Sequence, residues 1–412
     1  MTVWQRNFTL VWLNNFITAV GMMAFLPLFP LVLRDLGLDS PATIEIWSGL
    51  LVAGAPLTAA FMGPLWGALG DRVGRKPMVV RANFAILIFV GAMSLATSAP
   101  QLLVLRLMQG VFSGFMAPSI TLVSVATPLE QQGRVTGWLS TAVTAGSVLG
   151  PVLGGAVADA WGFRAVFLVT AALSGVGALV VKLWVVEPPV AREAQPSATG
   201  SRVPAPGLLL SVWRDLLAFL APGPLRTLLL IVFALRFAMR LVDPTLALYV
   251  ELLGDTPPER LATVTGLLFA ATAAATLAFT PLWGRWGDHR GHGRMLAACA
   301  AAGALLFAAQ GLVTGAGALY PLRFLAGAVM AGTLPAAYAL TARASSAARR
   351  GSALGLTFSS QVLANALGPA AGGLLAAAFG LRPPFFVAAA IMALAALAAV
   401  RARGRSQAAT NP

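Results

Sequence analysis

The sequence predicts an all-α membrane protein: twelve transmembrane helices in two pseudo-symmetric six-helix bundles, with both termini cytoplasmic. Three observations predict it. Hydrophobic residues make up 58% of the 412 residues and charged residues only 10%, whereas charged residues are about a quarter of an ordinary soluble domain. Crossing a bilayer takes about 20 consecutive apolar residues, and such runs fall at 8–33, 45–69, 78–97, 99–125, 136–160, 164–186, 226–251, 261–285, 294–314, 317–342, 352–379 and 384–401. The second half of the chain also restates the first. PLWGALGDRVGRK from Pro64 is answered by PLWGRWGDHRGHGR from Pro281, so that Asp288 stands 217 residues after Asp71. At the same offset Arg323 to Gly327 answers Arg106 to Gly110 and Pro244 answers Pro27. Gly150-Pro151 and Gly154-Gly155 return 218 residues on as Gly368-Pro369 and Gly372-Gly373. A repeat this long is an architecture.

Charge sets the orientation. Of the 28 Lys and Arg residues, 20 lie toward the side of the termini and even-numbered loops, four toward the opposite side and four deep inside spans, so the termini and those loops belong in the cytoplasm. Asp35, Asp39, Glu45, Asp159, Glu251, Asp255 and Glu259 gather on the opposite side. The net charge of +14 does not indicate nucleic acid, because no basic stripe with interleaved aromatics is present. The first span is too long for the apolar core of a signal peptide and reads as retained. The domains are then 1–187 and 225–412, joined by a cytoplasmic linker at 188–224 whose first part is rich in Pro, Ser, Gly and Ala. Within it LLLSVWRDLLAFL, 208–220, is too short to span. It is either a helix lying on the inner membrane surface or a segment tucked under the bundle.

The stretch 67–77, GALGDRVGRKP, reads as a tight basic turn between the second and third spans. Gly67, Gly70 and Gly74 suit close backbone turning, and Arg72, Arg75 and Lys76 mark the positive side. This stretch resembles the signature loop between helices 2 and 3 of the major facilitator superfamily. Arg106 to Gly114 is similar to that family's helix 4 motif, and Gly150-Pro151-x-x-Gly154-Gly155 to the helix 5 motif of its antiporters, with Thr141 where an earlier glycine is usual. The opening WQRNFTLVWLNNF and the run WSGLLVAGAPL resemble bacterial drug:proton antiporters of the family. The resemblance covers nearly the whole chain. It implies two parallel halves around a site at the bilayer midplane, and gating loops at Gly67, Asp71, Arg72, Gly74, Arg75 and Lys76, repeated at Gly284 and Asp288. It further implies that Asp71 meets the start of helix 11 near Ser352, that Arg106 takes part in proton transfer, and that Gly150, Pro151, Gly154 and Gly155 lie between the halves and limit leakage.

Charges inside spans are the remaining signal, since an Arg or Asp at a helix centre costs roughly 2.5–3.5 kcal/mol on insertion scales and normally faces a cavity. They are Arg106, Arg236, Arg240, Arg323 and, alone among acids, Asp243. Arg236, Arg240 and Asp243, at i, i+4 and i+7, share one face of the seventh span. Asp243 either pairs statically with Arg240 or is desolvated in one conformation and exchanges a proton. Arg236 has no acid one turn away and is a point of attraction for an anionic or carboxylate-bearing substrate. Arg106 either serves protons or bonds the first helix, with Gln109 one turn on. Asn14, Asn15, Asn83, Gln361 and Asn365 either line the cavity or bridge helices, and Phe115 and Phe237 are apolar contacts for a ligand or simply packing. Asp243, Arg106 and Asp71 are the candidates for proton coupling.

The two histidines, His289 and His292, read as solvated loop residues rather than a metal site, and no cofactor is expected. The single Cys299 reads as packing. Without a phosphate-binding glycine loop, ATP is not the energy source. The chain is not expected to be an enzyme. Its expected function is a secondary active transporter of the inner membrane exporting amphipathic drugs or toxic compounds in exchange for protons, with small molecules, protons and lipid as its partners. The alternatives are a proton-coupled importer or exchanger of one small metabolite and, in another class, a membrane receptor that transports nothing.

Overall fold

A computed structural model describes residues 2–128, 131–187, 224–345 and 350–408, with the side chains of Asp71, Arg72, Arg134, Arg350 and Ser352 outside that description. Most of the linker expected at 188–224, including the stretch 208–220, lies outside the described residues. The first half holds α1 (Val3–Phe25, a 3₁₀ turn Leu26–Leu28, then Phe29–Asp35), α2 (Pro41–Val73), α3 (Arg75–Met93), α4 (Ala99–Phe112 and Met116–Ala126), α5 (Gln132–Trp161) and α6 (Phe163–Trp184). The second holds α7 (Pro224–Leu241 and Leu246–Leu252), α8 (Leu261–Arg290), α9 (His292–Leu312), α10 (Leu319–Met330 and Thr333–Ala344), α11 (Arg350–Phe379) and α12 (Pro383–Ala408). The twelve expected spans correspond to these helices one for one. Eleven are long and apolar enough to cross a membrane. The exception is α7, whose first segment of 18 residues carries Arg226, Arg236 and Arg240. Pro244 divides this helix, because proline has no N–H to give and its ring crowds the preceding turn, and Pro27 interrupts α1 at the equivalent position.

The expected turn at 67–77 is mostly helix. Residues 67–73 are the last two turns of α2, and the only break before α3 is Gly74, at φ 110°. The second copy is the same: α8 continues to Arg290, and Gly291 breaks it at φ 93°. Only glycine adopts such a conformation without strain, so one residue suffices to reverse the chain. Basic, glycine-rich sequence suits a loop, yet the glycines at 67 and 70 are accommodated inside a helix anchored by the apolar turns before them.

The repeat is reproduced contact by contact. Gly37 and Gly254, Gly74 and Gly291, and Gly162 and Gly380 are matched pairs at positive φ. Trp66 Nε1 donates to the Val111 carbonyl at 2.6 Å, and its counterpart Trp283 donates to Ala328 at 2.5 Å. Within the halves α1 packs on α5 and α6 as α7 packs on α11 and α12, while α2 and α11, and α5 and α8, join the halves. In lipid, helices associate through close packing rather than hydrophobic exclusion, and glycine permits the closest approach.

Those joints close one face of the molecule only. At the acidic face, Gly49 of α2 meets Pro369, where an added Cβ would stand 2.5 Å from the carbonyl oxygen, and Gly373 meets the backbone of Glu45. Their counterparts repeat this, Gly266 against Pro151 and Gly155 against Ala262. Asp159 accepts the N–H of Thr263 at 2.9 Å across the same joint. Arg34 and Glu251, equivalent positions in the two halves, 217 residues apart, form a two-pronged ion pair at 2.6 and 2.5 Å. Five helical turns further along each of these four helices, hence on the same helix face and about 27 Å away, stand Gly67, Gly284, Gly137 and Gly355. Among the described residues no atom of another element comes within 4 Å of where the Cβ of any of the four would be. The described residues therefore join the halves at the acidic face and not at the basic one.

Candidate functional site

The spread between the halves exposes the charges of α7. Leucine, valine and alanine bury one side of its first segment, and the turn at Val242–Thr245 brings Asp243 back beneath Arg240. Arg240 Nη1 donates to Asp243 Oδ2 at 2.8 Å, and Arg240 Nε donates to Asn365 Oδ1 of α11 at 3.0 Å. The Arg240 side chain is 45% exposed and that of Asp243 15%. Of the two alternatives for Asp243, this conformation contains the ion pair. Arg236, one turn up, makes no hydrogen bond to any described group. It lies beside Thr333 and Leu334 of α10 and is electrostatically coupled to Tyr338, whose hydroxyl accepts Gln361 Nε2 at 3.2 Å. Arg323 of α10 is 3% exposed, interacts with Asp243 through space and lies 6.0 Å from the Phe269 ring, yet its Nε and Nη2 have no hydrogen-bond partner. Phe237 stacks on Phe233 at 5.6 Å along the same helix.

In the first half Arg106 is fully buried and satisfied. Its Nε donates to the Leu51 carbonyl of α2 at 2.9 Å, its Nη1 to Gln109 Oε1 at 2.6 Å, and its guanidinium lies 5.5 and 5.4 Å from the rings of Phe25 and Phe29. The expected bond to the first helix is instead made by Gln109, whose Nε2 reaches Met22 Sδ at 2.9 Å. Asn14 is packed against Gly177 of α6, away from α4. Its neighbour Asn15, 100° round the helix, accepts Ser119 of α4 at 2.9 Å and is the better placed of the two. Phe115 is half-buried beside the break in α4. Gly150 and Gly154 pack on α1 within their own half, whereas Pro151 and Gly155 reach α8 of the other, so the glycine motif serves both joints. Of the gating residues, the contact expected between Asp71 and Ser352 falls on side chains outside the description. Arg75 and Lys76 open α3, and Asp288 Oδ1 lies 3.5 Å from His292 Nε2.

Three residues take places the sequence did not suggest. Glu45, expected among the solvent-facing acids, is 1% exposed between α2 and α11 with neither carboxyl oxygen hydrogen-bonded. Position at the start of an apolar run does not reveal that another bundle will cover it. His292, expected in a solvated loop, is the first residue of α9 and buried. Glu187 closes the first half by accepting the backbone N–H groups of Arg75 and Lys76 at 2.8 and 3.2 Å, a carboxylate at the positive end of α3. Among the described residues no three His, Cys, Asp or Glu side chains gather as a metal site would require.

Twelve helices in two related halves, with charged side chains between them, define a polytopic membrane protein. The profile of the Major Facilitator Superfamily matches residues 11–262 and 228–412. The multi-drug resistance efflux pump PmrA of Streptococcus pneumoniae is 29% identical over 96% of this chain and 95% of that protein. The multidrug resistance protein MdtG of Dickeya zeae is 31% identical over 94% and 92%. Among solved structures, a bacterial homolog of the human lysosomal transporter Spinster, in an inward-facing and unoccupied conformation, superposes with a TM-score of 0.77 at 17% identity, covering 98% and 97%. The chain belongs to the Major Facilitator Superfamily, and is a multi-pass membrane transporter.

Proposed function

We propose that the protein exports amphipathic drugs or toxic compounds across the inner membrane by proton antiport, its two bundles alternating in access around the cleft between them. The observation that carries this reading is the Arg240–Asp243–Asn365 cluster, one titratable carboxylate held by a breakable ion pair inside a cleft that is open at one face. Relatives at about 30% identity named as multidrug efflux proteins supply the substrate breadth. With the basic face in the cytoplasm, the conformation is the one that loads. A proton reaching Asp243 from outside releases Arg240, and a ligand's arrival is linked to that proton's departure, since each favours a different state of the same pair. Asp71 and Arg106 are the further candidates for this coupling; Arg106, held by Leu51 and Gln109, acts on it only by orienting α4 against α2.

The test is uptake of fluorescent compounds into inside-out vesicles under an imposed pH gradient, acid inside. Asp243→Asn should lower gradient-driven transport at least tenfold while exchange of labelled for unlabelled compound, which needs no net proton movement, persists. Transport indifferent to the gradient in the parent would remove the antiport reading.

A further inference from the structure

We propose that this cleft selects amphipathic anions, compounds with an apolar body and a carboxylate or similar anionic head, and not lipophilic cations; the inference rests on the transport reading above and names its substrate class. Away from their ends, where Arg226, Arg343 and Glu251 lie, α7 and α10 bring three guanidinium groups, Arg236, Arg240 and Arg323, against one carboxylate, Asp243. That carboxylate is committed to Arg240 at 2.8 Å. α11, which completes the wall, has no ionisable side chain between Arg350 and Arg382 and contributes the amides Gln361 and Asn365. On the opposing wall α4 adds Arg106 and no acid. Arg236 makes no hydrogen bond to any described residue, and Arg323 has two buried nitrogens without a partner.

An unpaired cation inside a membrane protein is costly to keep, and an anionic head entering the cleft would compensate it at Arg236 or at Arg323. In a low-dielectric cleft the excess of positive charge also concentrates anions and repels cations before contact. A guanidinium matches a carboxylate through two parallel N–H donors, while the stacked Phe233 and Phe237 offer an apolar surface to the remainder. The outer residue Glu45 does not alter the balance, since it lies in the closed joint at the acidic face, against Gly373.

Two fluorophores that share a xanthene ring but differ in charge, anionic carboxyfluorescein and cationic rhodamine 123, test this. Binding to the purified full-length protein would be read by anisotropy and transport by vesicle flux, for the parent, Arg236→Gln, Arg323→Gln and Arg323→Lys. The parent should bind the anion at least tenfold more tightly than the cation. Each Gln variant should weaken anion binding roughly tenfold to a hundredfold, the worth of a hydrogen bond to a charged group, and Arg323→Lys should restore most of it. Anion binding without transport would sink the export reading and leave the inference standing. Preference for the cation, no binding of either dye, or an unchanged anion-to-cation ratio in every variant would overturn the inference, and cation export would at the same time uphold the export reading.

Discussion

Arg34 and Glu251 illustrate how little a single contact has to contribute. Their side chains are 44% and 41% exposed, and pairs of that kind contribute up to about 1 kcal/mol. Arg34→Ala should therefore shift the equilibrium between closed and open acidic faces by no more than about fivefold, and the reversed pair Arg34→Glu with Glu251→Arg should return it. Spin labels at Asp39→Cys and Glu259→Cys in a Cys299→Ser background would read the change. A large effect would mean that the pair, and not the helix joint, holds that face shut. At this scale the sequence was informative wherever burial is expensive: Asp243 and the four arginines stood out because lipid penalises charge. It was silent on Glu45, Glu187 and His292, whose surroundings come from another element or the other half. Asn14 and Asn15 show the same boundary, since both are polar and adjacent and only the packing of α4 and α6 tells them apart.

Among the elements, the informative cases are the breaks. Gly74 at φ 110° carries the whole reversal between α2 and α3, and a Cβ there would stand 2.9 Å from Glu187 Oε2. Gly74→Ala should destabilise the protein by about 1–3 kcal/mol, the usual cost of an L residue in that region. Gly291→Ala, at φ 93° but with nothing within 4 Å of its Cβ, should cost less. Thermal unfolding in detergent, with both variants measured side by side, decides it; equal losses would mean that the carboxylate contact is irrelevant. Helix number and order were legible because apolar length is a strong signal. The extent of α2 and α8 was not, because glycine and arginine suit a turn and a helix end equally, and only the φ at Gly74 and Gly291 separates them.

For the whole molecule, the repeat predicts paired behaviour. Gly266→Leu places a side chain where Pro151 already stands and should hold the acidic face apart, lengthening the distance between labels at 39 and 259 and abolishing transport. Gly355→Leu has open space in this conformation, so it should leave that distance unchanged at rest, fold normally and still block transport. If Gly355→Leu transported as well as the parent, the basic ends of these helices would have no partner to meet.

The glycines at both ends of each joining helix have one more consequence. On the alternation proposed above, a stiff rod with a seat at either end could rest on only one of them, so seating the basic ends would lift the acidic ends off theirs. No separate latch would then be needed at each doorway and no signal passed between them. One tilt would both admit and exclude, and a passenger between the halves would never face two open doors.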